Sequence, residues 1–279
     1  MNGLRIGLVV CLFAAAVSAS GVAQQANARP KVLNIVREIV KLGHDGAHQQ
    51  WEAGWPKLYT KSSYPYYVLA ITAASGTPEA WYLSGWESFA QIGQSYQWMQ
   101  EHPAAAAENA RLGQGDAAHL DGLRVMQAAL REDLSNGPMG NLGKVRVMRV
   151  TTWRVRPGQD AAWAALVHQW AEAVRASGAG NTWGTYEIVN GGMGGTYLVF
   201  EGFETMAAVD DALASGGKVA GAIGESGMQA FLKSLGESVI STESQIFGVD
   251  PVMSWVPKAT ADADPAFWNP KPAAAPKKP

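Results

Sequence analysis

The chain has 279 residues, with 22 basic and 24 acidic side chains and a formal net charge of −2 at pH 7. These charges are scattered along the chain, which excludes the concentrated basic surface of a nucleic-acid-binding protein. The one cysteine, Cys11, lies in an N-terminal apolar run. The rest of the chain therefore has no thiol for a disulfide, for nucleophilic catalysis or for binding a metal.

The N-terminal segment has the pattern of a secretory signal peptide. Arg5 is followed by a nearly uninterrupted apolar run, Ile6–Val17, and then by small residues through Ala23. The run is shorter than the ~20 apolar residues of a membrane-spanning helix, and no later segment is apolar enough to span a membrane. Residues 1–23 are therefore predicted to be removed on export, by cleavage after Ala19 or Ala23, which makes the mature protein periplasmic or secreted.

The first half of the remaining chain predicts the order strand, helix, strand, strand, helix, strand. The strands are indicated by runs rich in β-branched and aromatic residues, and the first helix by large residues spaced three and four apart. The predicted elements are Val32–Val40, a helix carrying Trp51 and Trp55, Tyr66–Thr72, Trp81–Gly85, a helix from Phe89, and Arg124–Arg131.

The second half repeats this order. VRPGQD at 155–160 matches VKLGHD at 40–45, and GFETM at 202–206 echoes GWESF at 85–89, with offsets of 115 and 117 residues. A period this long indicates duplication of a whole domain rather than a solenoid repeat. The second set of strands is predicted at Val145–Val155, Trp183–Val189, Tyr197–Glu201 and Val239–Phe247, and its first helix carries Trp163 and Trp170.

The domain boundaries follow from this repeat. One unit covers residues 30–140 and the other residues 144–257, each with the βαββαβ order of a ferredoxin-like domain. Such a unit has a four-stranded antiparallel sheet with helices on one face only. Because both faces of the first strand are apolar, the free faces of the two sheets are expected to cover each other. Residues 258–279, rich in Pro, Ala and Lys, are predicted to be a disordered tail.

The order of elements and the GWESF phrase with its echo resemble the dimeric α/β-barrel superfamily, in particular its antibiotic-biosynthesis-monooxygenase-like and NIPSNAP-like families. The resemblance spans Val32 to about Pro257. It implies an α+β fold in which two tandem ferredoxin-like units form an intramolecular dimeric α/β barrel, a pseudo-dimer within one chain. It does not choose an activity, because the superfamily includes oxygenases without cofactors, haem binders, haem degraders and isomerase-like enzymes.

Trp86 is the residue that connects this resemblance with the haem-degrading members of the superfamily. In haem-degrading members of the superfamily, a Trp at this junction distorts the porphyrin, and a His about three turns later binds the iron. Here that region holds Gln97 and Trp98, and His102 comes more than a turn later, beside Pro103. No cofactor is therefore predicted, and haem binding or degradation is not expected.

His44 and His48 are the weak candidates for a metal site. They lie one turn apart on the first predicted helix, a spacing at which two imidazoles can share an ion. No Glu follows as in the H-E-x-x-H motif, and the corresponding residues of the second repeat are Gln159 and Trp163. A packing role is favoured, and no metal is predicted.

A mixed set of polar and aromatic residues could line a ligand pocket. Asn34 and Glu38 share one face of the first strand, whereas Leu33 and Ile35 on the other face are expected to pack under the helices. The structural alternative is a buried ion pair between Glu38 and Arg149. The candidates for the pocket are Asn34, Glu38, Tyr82, Trp86, Arg149 and Trp153.

The sequence thus predicts an exported protein that binds a small apolar or aromatic molecule in a cleft between a sheet and its covering helices. The 11 tryptophans and 8 tyrosines motivate this, since such rings give a large contact area with a polar edge. Two alternatives stay open: a cofactor-independent monooxygenase-like enzyme with Trp86, Tyr82 and Asn34 around its substrate, and a non-catalytic periplasmic interaction protein. No catalytic residue is assigned.

Overall fold

The computed structural model describes residues 28–270. The predicted signal peptide, residues 1–23, and the end of the predicted tail, residues 271–279, lie outside the described residues. Eight strands form a closed barrel. They are β1 (Val32–Val40), β2 (Val68–Ala73), β3 (Glu79–Trp86), β4 (Leu120–Leu130), β5 (Val147–Val155), β6 (Gly184–Asn190), β7 (Thr196–Phe203) and β8 (Val239–Trp255).

Helices pack on the outside of this barrel. In chain order they are α1 (Asp45–Glu52), α2 (Gly54–Ser62), α3 (Phe89–Glu101), α4 (Pro103–Asp116), α5 (Asp160–Ser177), α6 (Met206–Ile223), α7 (Glu225–Ser238), α8 (Lys258–Asp262) and α9 (Pro265–Trp268). Between residues 28 and 270, no helix is both long and apolar enough to cross a membrane.

The strand order explains how the barrel closes. Around the barrel the strands run β1-β3-β2-β8-β5-β7-β6-β4, with β4 pairing to β1 and every neighbouring pair antiparallel. The four strands of each half of the chain are adjacent, and the halves meet at the β2–β8 and β4–β6 pairs. A bulge recurs near the ends of β1 and β5, at Ile39/Val40 and at Arg154/Val155. Closure leaves neither half with a free strand edge.

The barrel interior holds the main hydrophobic core. Leu33 and Ile35 of β1 point into it together with apolar residues of the other strands. Met148 and Val150 of β5 point into it in the same way. The expectation that Leu33 and Ile35 pack under the helices is therefore wrong. The interior is enclosed by strands on every side, so it favours side chains without polar atoms. Asn34 and Glu38 occupy the alternate positions of β1 and face the helices instead.

The helical layer differs from the prediction in two places. The first predicted helix is broken into α1 and α2 because the Pro56 ring would collide with the carbonyl of Glu52, four residues earlier. Helix α4 is not among the predicted elements, since it has no stripe of large apolar residues to reveal it. Pro103 at its start is a favourable first helical residue, because the missing N–H needs no partner there.

Ser88 and Thr205 explain why the sequence GWESF at 85–89 is echoed by GFETM at 202–206. Each has an extended backbone, and its side-chain oxygen accepts a hydrogen bond from the backbone N–H three residues later, at 3.4 Å from Gln91 and 3.2 Å from Ala208. Such a cap satisfies one of the unpaired N–H groups at a helix start. The phrase marks the passage from β3 to α3 and from β7 to α6, as predicted.

The segment after β8 is folded as far as the structure describes it. Trp268 is 6% exposed and belongs to the interior core, and its indole N–H donates to the Gly143 carbonyl at 2.9 Å. Asp264 pairs with Arg146, whose guanidinium lies over the Phe267 ring. The prediction of a disordered tail is therefore wrong for residues 258–269. The buried Trp268 indole and the Asp264–Arg146 ion pair keep this segment packed on the barrel, although its average composition favours disorder.

Candidate functional site

An apolar cavity of about 230 Å³ lies inside the barrel, at the end where β1, β2, β5 and β6 begin. Leu33, Leu83 and Phe200 form part of its wall, and the segment at 138–142 and the start of α8 cover it. Two of its polar neighbours, Arg29 and Tyr186, are already bonded. The Arg29 guanidinium donates to the carbonyls of Gly137 and Trp183 at 2.6 and 2.9 Å, and the Tyr186 hydroxyl donates to that of Pro30 at 3.1 Å. The cavity therefore offers apolar contact and no free charge.

A second feature lies on the opposite face of the sheet, under α1 and α4. Glu38, His48, Glu52 and Asp116 are between 2% and 6% exposed. One ligand atom from each lies within 4.8 Å of those of the other three. We refer to these four residues as the acid–histidine cluster. Strand β1 supplies Glu38, and one helical turn of α1 separates His48 from Glu52.

Hydrogen bonds fix the orientation of the His48 imidazole. Nδ1 of His48 lies 2.9 Å from Oδ1 of Asp116, and Nε2 lies 3.1 Å from the Tyr82 hydroxyl. Nε2 is also 3.9 Å from Oε2 of Glu38, a buried atom that has no hydrogen-bond partner among residues 28–270. The carboxylate of Asp116 can only accept, so Nδ1 carries the proton and Nε2 presents its lone pair toward Tyr82 and Glu38.

The cluster brings three carboxyl groups together in a buried place. Burial, and then repulsion from Asp116, raises the pKa of Glu38 to about 7. Burial, and then repulsion from Glu38 and Asp116, raises the pKa of Glu52 to about 9. Burial also raises the pKa of Tyr82 well above its ordinary value. In the described part of the chain, His48 is the only ion-pair partner of the three carboxyl groups, so ionising all three would require a further partner such as a metal ion.

A cleft of about 400 Å³ leads from the surface to the cluster. His48 forms part of its inner wall, and Asp45, Gln49 and Asp250 line it farther out. The Gln49 side chain donates to Asp250 at 2.7 Å. His48 is therefore the member of the cluster that borders the cleft.

The second half of the chain fills the corresponding place with aromatic rings. At the offset of 115 residues, Trp153 occupies the position equivalent to Glu38, and Trp163 occupies the position equivalent to His48. Trp163 is 1% exposed and stacks on Tyr197 at 4.2 Å between ring centroids. One half thus holds a dry aromatic core where the other holds titratable groups.

The six predicted pocket residues lie on the helix-facing side of the barrel, and none of them lines the barrel cavity. Asn34 lies on the same face as Glu38, and Trp86 packs on Val32. Within the residues that the structure describes, the buried Oδ1 of Asn34 and the buried Nε1 of Trp86 have no hydrogen-bond partner. Glu38 and Tyr82 belong to the cluster and its surroundings. Their role in binding a ligand stays a prediction.

The two predicted pocket residues of β5 serve packing and pairing in this structure. Arg149 makes a two-pronged ion pair with Glu201, at 2.6 and 2.8 Å. The predicted alternative, a pair between Arg149 and Glu38, is therefore wrong, because the two residues belong to different halves of the barrel. Trp153 packs on Trp163.

The histidines are placed as follows. His48 lies in the cluster, but His44 does not, and its Nδ1 is 2.9 Å from that of His119. His102 is exposed, stacks on Trp98 and bonds the Trp98 carbonyl. The predicted sites place His48 and Glu38 in separate sets and do not include Glu52, although Glu52 follows His48 by one helical turn. No local signal connects Asp116, 68 residues away, to His48.

No family model and no curated protein matches the chain. Solved structures do. An anthrone oxidase-like protein is 14% identical, with a TM-score of 0.53, covering 78% of this chain and 91% of that chain. A putative monooxygenase from Fusobacterium nucleatum is 11% identical, with a TM-score of 0.50, covering 79% and 93%. A mutant chlorite dismutase from Candidatus Nitrospira defluvii is 10% identical, with a TM-score of 0.50, covering 83% and 96%.

The fold is that of the dimeric α/β barrels. The resemblance predicted from the GWESF phrase and the order of elements is thereby confirmed. At these identities the likeness shows the fold alone.

The prediction that the protein has no cofactor, with haem not expected, is wrong. The dimeric α/β barrels with this architecture include chlorite dismutase, and the chain itself buries four metal-ligating side chains in one place. Three carboxyl groups and one imidazole are a donor set that fits a single divalent ion such as Zn²⁺ or Mn²⁺. The unpartnered Oε2 of Glu38 is the atom within the cluster that most needs such a partner.

Proposed function

We propose that the protein binds a small apolar or aromatic molecule in the barrel cavity. The observation that carries this proposal is the apolar cavity of about 230 Å³ inside the barrel. A dry cavity of ~150 Å³ is known to hold benzene, so this one has room for a bicyclic aromatic ring system. The neighbouring polar groups of Arg29 and Tyr186 are already bonded, so a ligand that needs few hydrogen bonds fits best.

Calorimetric titration with 1-naphthol tests the proposal. We expect saturable one-to-one binding to the full-length protein. Leu83→Trp fills the cavity and should abolish binding while the melting temperature stays the same or rises. Leu213→Trp adds the same ring on an exposed part of α6, where Leu213 is 63% exposed, and should leave binding unchanged. Equal binding by wild type and Leu83→Trp would refute the cavity as the site.

An oxidising enzyme is the second candidate function. The specific observation in its favour is a buried His, Tyr and carboxyl cluster at the inner end of a cleft, in a fold shared with a putative monooxygenase and an anthrone oxidase-like protein. Oxygen uptake by the full-length protein in the presence of anthrone tests it. Uptake that disappears in His48→Gln supports the enzyme, whereas no uptake above the buffer rate argues for ligand binding alone.

We also infer that the two halves are tandem ferredoxin-like units. The order β4-β1-β3-β2 in the first half corresponds to β8-β5-β7-β6 in the second, and the bulges at the ends of β1 and β5 match. Expressing residues 28–140 and 144–270 separately and mixing them tests this. We expect the two pieces to associate one to one, because each piece alone exposes two strand edges and an apolar sheet face.

The proposed function includes export. The pattern from Arg5 through Ile6–Val17 to Ala23 supports it. N-terminal sequencing of the protein from its native host, after separating periplasm from cytoplasm, tests it. A mature start at Ser20 or Gln24 supports export, and an intact Met1 in the cytoplasmic fraction contradicts it.

A further inference from the structure

We propose that Glu38, Glu52 and Nε2 of His48 bind a divalent transition-metal ion, with Asp116 holding the imidazole in place. All four side chains converge from three elements, β1, α1 and α4, and their ligand atoms lie within 4.8 Å of one another. Two carboxylates would neutralise the two charges of the ion. The third, Asp116, acts through His48, as carboxylates that orient a ligating imidazole do at many metal sites.

The distances within the cluster suit this assignment. Nδ1 of His48 is bonded to Asp116 at 2.9 Å, so it is not available to a metal. Nε2 faces Oε2 of Glu38 at 3.9 Å, which is too far for a hydrogen bond. Two ligands ~2.1 Å from one ion lie roughly 3–3.5 Å apart, so a small closing movement brings both atoms into coordination.

An unpartnered buried oxygen is the independent sign of a missing ligand. Glu38 is 6% exposed, yet its Oε2 has no hydrogen-bond partner within the described part of the chain. A buried carboxylate oxygen that is left unpaired is costly. This atom lies 3.9 Å from Nε2 of His48, so an ion between the two would satisfy the oxygen, and Nε2 would exchange its hydrogen bond with the Tyr82 hydroxyl for the ion.

The other half of the chain shows that packing does not require these residues. Trp153 and Trp163 occupy the positions of Glu38 and His48 and form a buried aromatic core with Tyr197. An apolar filling of this space is therefore compatible with the fold, and replacing buried charges by apolar groups is often neutral or stabilising. Three buried acids in the first half thus need an explanation other than packing, and a bound cation supplies one.

The donor set indicates which ions fit. Two carboxylate oxygens and one imidazole nitrogen suit Zn²⁺, Mn²⁺ or Fe²⁺, whereas a Cu⁺ site would use thiolate or thioether ligands. The cleft that ends at His48 leaves a side from which water or a small molecule can reach the ion. Within the order of affinities of divalent ions, Zn²⁺ should bind more tightly than Mn²⁺.

Metal content and affinity test this proposal directly. The full-length protein is stripped with EDTA, desalted and titrated with Zn²⁺, and bound zinc is measured by mass spectrometry of the digested sample. We expect one Zn²⁺ per chain. Glu38→Gln and Glu52→Gln should weaken binding by at least ~100-fold, and Asp45→Asn, which alters a carboxylate of the cleft outside the cluster, should change it by less than ~3-fold.

Asp116→Asn separates positioning from a purely structural role. We expect the affinity to fall by ~10–100-fold, as for other residues that orient a ligating imidazole, and the visible absorption bands of bound Co²⁺ to shift. Bands that stay in place would refute the positioning role. Wild-type protein that retains less than a tenth of a zinc ion per chain, or Glu38→Gln and Glu52→Gln with wild-type affinity, would overturn the metal site. Binding of 1-naphthol in the barrel is measured separately, so either proposal can fail alone.

Discussion

Glu52→Gln should stabilise the metal-free protein at neutral pH and remove part of its pH dependence. The pKa of Glu52 rises from 4.5 in the unfolded chain to about 9 in the folded one, so between these values the unfolded state releases a proton that the folded state keeps. The contribution of Glu52 to the free energy of unfolding is therefore greatest below pH 4.5 and falls as the pH rises toward 9. The cost is about 1.4 kcal/mol for each pH unit.

At pH 7.5 the ionisation of Glu52 in the unfolded state costs on the order of 4 kcal/mol. Because Glu52 is 5% exposed, solvent screens little of this. Gln has a similar shape and does not ionise. We expect the variant to gain a few kcal/mol over wild type at pH 7.5 and nothing at pH 4.5.

Urea unfolding followed by circular dichroism, in EDTA between pH 4.5 and 8.5, measures this difference. Glu204→Gln removes an exposed carboxyl group elsewhere on the barrel and should follow the wild-type curve. If Glu52→Gln and wild type lose stability equally as the pH rises, the reasoning about the buried carboxyl group is wrong.

Three further predictions concern the end of the barrel, the helix cap and the ion. Trp268→Ala should lower the free energy of unfolding by about 3–5 kcal/mol, because a buried indole and its bond to Gly143 are lost; a loss under 1 kcal/mol in urea unfolding would show that the segment after β8 does not stabilise the barrel. Ser88→Ala should cost about 1 kcal/mol, since its oxygen caps α3 through the Gln91 N–H, and unchanged urea unfolding would contradict this. Zn²⁺ at 100 times its Kd should stabilise the wild-type protein by ~2.7 kcal/mol and leave His48→Gln unchanged, as measured by urea unfolding with and without the ion; equal stabilisation of both would place the ion elsewhere.

The barrel could be predicted from the sequence because several signals agreed. The repeated turn at Gly43 and Gly158 and the repeated phrase at Ser88 and Thr205 fixed the period and the order of elements, and closure then follows from the need to cover two open sheets. Helix α4 could not be predicted, because an Ala-rich helix of 14 residues with no large apolar stripe looks like a loop.

The orientation of β1 and the composition of the acid–histidine cluster are features that the sequence does not fully predict. When both faces of a strand are apolar, alternation alone does not say which face turns inward, and Leu33 and Asn34 were assigned to the wrong sides. The pair His48 and Glu52 has a helical spacing that the sequence displays, and a search for any acid one turn from a His would have found it. Asp116 reaches the cluster only through the packing of α4 on α1, which no local pattern encodes.

A crystal structure of the full-length protein soaked with 6-bromo-2-naphthol tests ligand binding in the barrel most directly. The anomalous signal of bromine locates the ligand without assumptions about its pose. We expect one strong peak inside the barrel, close to Leu33, Leu83 and Phe200. A strong peak between the sheet and its helices, or no peak at saturating ligand, would contradict the barrel cavity as the binding site.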